Sequence, residues 1–260
     1  MKVEVLVSTM HQKDHSLLER MNISTEAIIV NQCNKNRIEN FLYKGRLVKF
    51  ISLNERGVGL SRNTALMRAE KEICLFADDD VVYVDNYEEL IIDAFESNPK
   101  AGMIIFNVPS TNKQRPSHIT NRTKKLHLFN SLKYGTFCIA VRRDKIFSSN
   151  ISFSLLFGGG AKFSAGEDSL FIADCFKKKI AIYTSPYVIG EVNHIESTWF
   201  NGFNEKYFID KGAFFYCLSK PLKKLLCLQF LVRHRDIIPK ELGIYNSYKL
   251  MKKGFKAIDN

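Results

Sequence analysis

Three consecutive carboxylates, Asp78-Asp79-Asp80, end an apolar run in Cys74–Tyr83, CLFADDDVVY. Adjacent like charges repel, so stability alone does not keep them together. Two carboxylates one residue apart, Asp78 and Asp80, can flank a divalent cation and a phosphate chain. Mg²⁺ and Mn²⁺ prefer oxygen ligands and leave positions open for phosphate and water. The plainer reading is a solvated turn after a strand. A second acidic pair, Glu167-Asp168, follows Gly166. By itself it reads as acidic residues that favour a helix N-terminus. Between the two in kind stands RGVGLSRN, Arg56–Asn63, where glycines open a helix. Free backbone N–H groups and Arg62 there suit a phosphate or nucleoside, or Arg62 is a surface helix residue.

The elements that must position these residues follow from periodicity. Val3–Val7, Ala27–Val30, Leu47–Ile51, Ile73–Ala77 and Met103–Phe106 read as strands. Helical stretches are expected near Lys13–Met21, over Gly59–Ala69 and over Tyr87–Ser97, the last capped by Asp85. This alternation predicts an α/β fold with a mostly parallel central sheet flanked by helices. Ligands bind such sheets where strands end at their carboxyl side, and the acidic triplet lies at such an end. Residues 108–135 are polar, basic and turn-rich, and read as a long connection or mobile loop over the site. Thr136–Val141 is strand-like, Leu156–Asp168 loop-like, and Ser169–Phe176 suits a helix. Beyond Asn201 the pattern turns helical, aromatic and basic.

Composition narrows the class. A chain of 260 residues with 45% hydrophobic content can bury a sizeable core, and 12% aromatic residues argue against disorder. The formal net charge is +11, and residues 201–260 hold 12 Lys/Arg against 5 Asp/Glu. Nucleic acid, anionic lipid and phosphorylated substrates are all attracted by such a balance, but no base-reading motif is present, and no nucleic-acid partner is expected. The six cysteines lack CxxC or metal-ligand spacing, which points to reduced thiols and a cytoplasmic setting. No signal peptide and no apolar run of membrane-spanning length is visible, so the chain reads as soluble or peripheral.

Two families share motifs with the chain. Asp78–Val82 fits the DxDx[TV] string of aspartyl-phosphate phosphatases of the haloacid dehalogenase type, in which Asp78 would be the nucleophile. That motif belongs on a domain's first strand, whereas here at least two strands and two helices precede it. The order ERGVGLSRNTAL (Glu55–Leu66), FADDD, FGGGAKFSAGEDSLF and HIESTW instead resembles family 2 glycosyltransferases of the GT-A fold, above all bacterial enzymes of capsular or other surface polysaccharides. STM (Ser8–Met10) and VNQCN (Val30–Asn34) stand at the ends of the first two strands as in such proteins.

The resemblance covers about residues 3–200. It implies a catalytic domain over 1–200, with a nucleotide-sugar half near 1–107 and an acceptor half near 136–200, followed by a basic helical extension over 201–260. It implies transfer of a hexose from a nucleotide diphosphate-sugar, a UDP-sugar first, to a glycan or lipid-linked glycan. Asp80 and His194 would be the ligands of Mn²⁺ or Mg²⁺. Thr9, Asn31, Arg62, Asp78 and Asp79 would contact the donor, although many relatives carry Asp where Asn31 stands. Asp168 would be the general base, with Glu167 contacting the acceptor or positioning Asp168. Gly159 and Gly160 (of Gly158–Gly160) and Trp199 would face the acceptor, or form a turn and fill the core. A metal-bound diphosphate leaves without protonation, so one base suffices and inversion is expected. Processive relatives carry a QxxRW element that Gln229 and Arg233 do not reproduce, so addition of single sugars is expected. Lys220–Arg235, apolar with basic flanks, either lies on an anionic inner membrane or packs on the domain.

Overall fold

Unbroken apolar runs form the middle of the sheet because parallel strands covered on both faces need no polar side. In the computed structural model, which describes residues 1–193 and 202–259, the chain runs β1 (Val3–Met10), α1 (Leu17–Arg20), β2 (Glu26–Gln32), β3 (Arg37–Tyr43), β4 (Arg46–Leu53), α2 (Val58–Arg68), β5 (Ile73–Asp78) and β6 (Val81–Tyr83). It continues through α3 (Tyr87–Ser97), β7 (Met103–Asn107), β8 (Lys124–Lys125), α4 (Leu128–Ser131), β9 (Ile139–Arg142), α5 (Arg143–Ser148), α6 (Glu167–Lys177), β10 (Ile182–Val188) and β11 (Gly190–Val192). Three helices close the chain: α7 (Glu205–Leu218), α8 (Lys223–Arg233) and α9 (Gly243–Asp259).

The main sheet has the order β3-β4-β2-β1-β5-β9-β7-β10-β8. Strands β4, β2, β1 and β5 are mutually parallel, as are β7 and β10. Strand β9 is antiparallel to both its neighbours, so the sheet is mixed about its centre. Register aligns Ser8 with Asp78 and Thr9 with Asn31, so the predicted strand-end residues share one edge.

Several local expectations are corrected. The stretch near Lys13–Met21 contains only the four-residue α1. Strand β3 was not legible: Arg37, Glu39 and Asn40 interrupt its apolar signal, and at the sheet edge Ile38 and Leu42 stay exposed. Asp85 does not cap α3; Asn86 occupies that position, and Asp85 accepts a hydrogen bond from Asn22. Thr136–Cys138 forms a short 3-10 turn ahead of β9 rather than its beginning. Residues 108–135 contain β8 and α4 and are tied to the sheet. The Asn107 amide donates to Thr120 O at 2.8 Å and accepts from Thr120 N at 2.9 Å.

Below the carboxyl ends of the strands, three phenyl rings join the motifs. Phe153 stacks on Phe171 of α6 with centroids 4.1 Å apart, and both meet Phe76 of β5 edge-on. Phe153 is held to α2 by a reciprocal pair: Asn63 Nδ2 donates to Phe153 O at 2.9 Å, and Phe153 N donates to Asn63 Oδ1 at 2.8 Å. The acidic triplet and the GED helix are therefore mounted on one apolar block.

The basic C-terminal helices build a second core with Phe157, Phe163, Leu170 and Ala173. Helices α7 and α9 cross with backbones nearly touching, since a Cβ on Gly212 would lie 2.0 Å from Met251 O. Asp210 of α7 accepts from the Ser164 N–H and hydroxyl, at 2.9 and 2.7 Å, which fixes the loop just ahead of α6. The face of α8 carrying Cys227 and Leu231 is buried, so this segment does pack on the domain.

Replacing Phe171 by Ala should destabilise the protein by about 3–5 kcal/mol, because it empties a fully enclosed ring site. Denaturant unfolding checks this, and a loss under about 1 kcal/mol would show that the block does not couple α6 to the sheet.

Candidate active site

A buried arginine collects three carboxylates from two distant parts of the chain. Arg62 lies on α2 with its side chain 4% exposed. Its Nη2 donates to Asp78 Oδ1 at 2.9 Å, and its Nη1 donates to Asp168 Oδ1 at 2.8 Å and to Glu167 Oε1 at 3.1 Å. The guanidinium also faces the Phe153 ring at 5.5 Å. Burial opposes its charge, but Asp78, Asp168 and Glu167 outweigh that cost and hold its pKa above the ordinary value. The reading of Arg62 as a surface residue is therefore corrected. Arg62 Nε has no hydrogen-bond partner among the described residues.

Asp168 is gripped on one oxygen. Thr136 Oγ1 donates to Oδ1 alongside Arg62, while Oδ2 receives only the longer contact from Thr136 N at 3.3 Å. Oδ2 is thus the oxygen best placed to accept a proton from outside. Glu167 is turned inward, with Oε2 accepting from Gly166 N at 3.1 Å. Burial and the adjacent Asp168 raise its pKa, with Arg62 pulling the other way. Both Glu167 oxygens are engaged by the protein, an arrangement that positions Arg62 and Asp168.

The triplet splits by direction. Asp78 faces Arg62, and Asp79 accepts a hydrogen bond from the Thr9 hydroxyl. Asp80 is half-buried, and its carboxyl is pushed up to about 7 by burial and by the charges of Asp78 and Asp79. Strand β11 pairs with β6 and returns the chain to the triplet, where Asn193 N donates to Asp80 O at 3.2 Å. His194 and Trp199 lie outside the described residues. Among the described residues no three carboxylate, imidazole or thiol side chains converge as a preassembled metal site.

At the neighbouring strand ends, Asn31 makes a reciprocal pair with the Gln12 backbone, both bonds at 3.0 Å. Its amide is therefore committed within the protein. Gln12 was missed in the sequence: its Nε2 donates to Thr9 Oγ1 at 2.8 Å, and its Oε1 accepts from Arg20 at 2.9 Å. Thr136 was missed as well. Neither residue has a spacing signature, because each acts through contacts made only on folding.

The glycine segment serves the backbone around α2. Gly159 O accepts from Val58 N at 2.8 Å, and Gly57 N donates to Gln32 Oε1 at 2.7 Å. These two N–H groups at the helix start are occupied, against the expectation that they are free. Gly160 has φ +79°, and a Cβ there would lie 2.9 Å from Gly57 N. The turn packs directly on the start of α2.

Removing Arg62 leaves three carboxylates without their counter-charge. Arg62→Met should cost about 3–5 kcal/mol near pH 8. Glu167 already has a folded pKa above its unfolded value, so it destabilises the fold as pH rises through that interval, and losing Arg62 raises it further. The difference between wild type and variant should therefore widen from pH 5 to pH 8 in denaturant titrations. A pH-independent difference would show that packing, not charge, is the role of Arg62.

The family model described as glycosyl transferase family 2 matches residues 11–150. A crystal structure of Staphylococcus aureus TarS residues 1–349 in complex with UDP-GlcNAc superposes with TM-score 0.62 at 18% identity, covering 92% of this chain and 74% of that one. The same fragment in complex with UDP gives 0.61 at 18% identity, covering 91% and 72%. A longer TarS structure gives 0.59 at 19% identity, covering 93% of this chain and 45% of TarS. These likenesses establish a GT-A-like fold. No curated protein matches. With the family match the reading of Asp78 as a phosphatase nucleophile is set aside: the chain belongs to the family 2 glycosyltransferases.

Proposed function

We propose that the chain transfers a hexose from a nucleoside diphosphate-sugar, a UDP-sugar first, to a hydroxyl of a glycan or lipid-linked glycan, with inversion and one sugar at a time. The observation that carries this reading is the Arg62 cluster, which places Asp78 and Asp168 on opposite ends of one guanidinium. The strand end suited to a sugar diphosphate thus adjoins the carboxylate suited to a base. The TarS structures with UDP-GlcNAc and UDP support a uridine donor by likeness of fold. Assembly of a surface polysaccharide in a bacterium is the role the motifs suggest.

Asp168 Oδ2 accepts the proton of the acceptor hydroxyl as that oxygen attacks the anomeric carbon. The bond from that carbon to the diphosphate breaks on the opposite face, and the diphosphate departs unprotonated. Arg62 and Thr136 hold Asp168 in one orientation, and Glu167 braces Arg62 from the buried side. Asn31 fixes the Gln12 turn, and Thr9 and Gln12 fix Asp79 beside the nucleoside end.

One described residue, Asp80, supports a divalent cation. Asp80 is a hard oxygen donor whose carboxyl is crowded by two like charges, and a cation relieves that crowding. Asp80 would hold Mn²⁺ or Mg²⁺, with His194 as the second ligand, next in the chain to Asn193, which bonds Asp80 O. When bound, such an ion neutralises charge developing on the departing diphosphate.

Peripheral contact with an anionic membrane belongs to the same proposal. Leu225, Leu228 and Val232 of α8, with Leu222 beside them, remain exposed on the helix's outward side. Lys224, Arg233 and Arg235 lie beside them in the sequence. Among the described residues no helix is long and apolar enough to cross a membrane.

UDP and UDP-sugars should raise the melting temperature in the presence of Mn²⁺, and Asp80→Ala should abolish the metal-dependent part of the shift. Asp168→Asn should lower kcat by about 10²–10⁴ while donor affinity stays near wild type. Turnover by Asp168→Asn near the wild-type rate, or indifference to every nucleoside diphosphate-sugar, sinks the reading. The protein should also float with phosphatidylglycerol vesicles but not with phosphatidylcholine vesicles. Leu225→Glu with Val232→Glu should remove that binding, and equal flotation with both lipids would contradict the membrane contact.

A further inference from the structure

Helix α7 carries a lysine that the fold leaves without a counter-charge. Lys211 stands one turn after Tyr207 and one turn before Phe214, so the three share a face of the helix. Its Nζ lies 5.5 Å from the Tyr207 ring centroid, 5.3 Å from that of Phe214 and 5.5 Å from that of Phe230, a residue of α8. Three rings at such range form an aromatic cage that suits a cation.

The nitrogen itself is unspent. Among the described residues no hydrogen bond or ion pair ends on Lys211. The neighbouring carboxylate, Asp210, is taken by Lys206 Nζ at 2.6 Å and by the hydroxyl and N–H of Ser164. Burial alone holds the Lys211 pKa below the ordinary lysine value, with no nearby charge to offset it. A methionine would fill much the same space without that cost. Yet the side chain is not sealed in: Lys211 is partly exposed, and its Nζ is not among the atoms closed off from solvent. A shielded ammonium with free donors and an open approach calls for an anion that the protein does not itself supply.

The cage borders the chemistry. The Phe214 ring packs on Gly166, where a Cβ would lie 2.7 Å from its Cδ2. Gly166 directly precedes Glu167 and Asp168, so Lys211 and the start of α6 are neighbours of one ring. By helical spacing Phe230 lies on the other side of α8 from the exposed Leu225, Leu228 and Val232. That placement favours an anion carried by a glycan over a lipid headgroup.

We propose that Lys211 binds the acceptor: its ammonium holds an oxyanion, a phosphate or a carboxylate, carried by the glycan whose hydroxyl meets Asp168. The acceptor role rests on the transferase reading; the anion site itself does not. The rings keep the ammonium in place and offer apolar faces to the sugar that bears the anion. Glycans with such a group are then preferred over neutral ones.

The full chain with lysine labelled at Cε tests this, since three nearby rings set the Lys211 resonance apart from those of exposed lysines, and Lys211→Arg assigns it. At constant ionic strength, inorganic phosphate or glucuronate should shift this resonance saturably, and methyl glucoside should not. A response to either anion supports the site and names the group; a response to neither, or one that never saturates, overturns it. Lys211→Met should melt at or above the wild-type temperature and lose the stabilisation that the anion gives, while Lys211→Arg retains it. A lower melting temperature for Lys211→Met would instead assign the lysine to the fold. Flotation of Lys211→Met with phosphatidylglycerol vesicles should match wild type, and its loss would make the ligand a lipid headgroup and overturn the acceptor role. UDP separates the two claims: failure of UDP to bind, with the anion still seen by Lys211, removes the transferase reading and the acceptor role but leaves the anion site.

Discussion

Arg62 supplies the positive charge around which Asp78, Glu167 and Asp168 assemble, and burying a guanidinium is tolerable only because all three surround it. The cluster is not neutral, since three acidic groups meet one base. Part of the excess is met by Thr136 donating to Asp168 and part by the raised pKa of Glu167. Asp79 and Asp80 extend the negative charge outward from there. The carboxylates gathered at the strand ends therefore outnumber the positive charge that Arg62 supplies.

The fold delivers these groups by a repeated device. Three asparagines, Asn31, Asn63 and Asn107, each pair both ends of the amide with the backbone of another segment. They fix the Gln12 turn, the Phe153 segment and the connection near Thr120. A side-chain amide offers donor and acceptor in one plane, so it substitutes for a backbone partner where strands have ended. The apolar block of Phe76, Phe153 and Phe171 then sets the spacing between the acidic triplet and the GED helix.

The C-terminal helices contribute from the other side. Asp210 holds the loop ahead of α6, and Lys162 Nζ reaches Ala257 O at 2.8 Å. The basic segment therefore buttresses α6, which carries Asp168, through one face, while Leu225, Leu228 and Val232 of α8 stay exposed.

Much of this was written in local pattern. The apolar runs of β1, β2 and β5 announce buried parallel strands, and the spacing of Leu90, Ile91 and Phe95 marks α3 with its observed bounds. The acidic triplet and the GED pair were visible as chemistry because their residue types are poor choices for stability alone. Strand β3, the 3-10 turn at Thr136 and the Asn86 cap were not visible, since edge exposure and turn geometry override local propensity. The sequence by itself determined the fold class and the family, because hydrophobic period and motif order are properties of neighbours along the chain. Only the tertiary structure decided that Arg62 is the shared counter-ion, that Thr136 orients Asp168 and that Asn31 spends its amide on Gln12. Those roles depend on distances between residues far apart in the chain, and packing, not spacing, sets such distances.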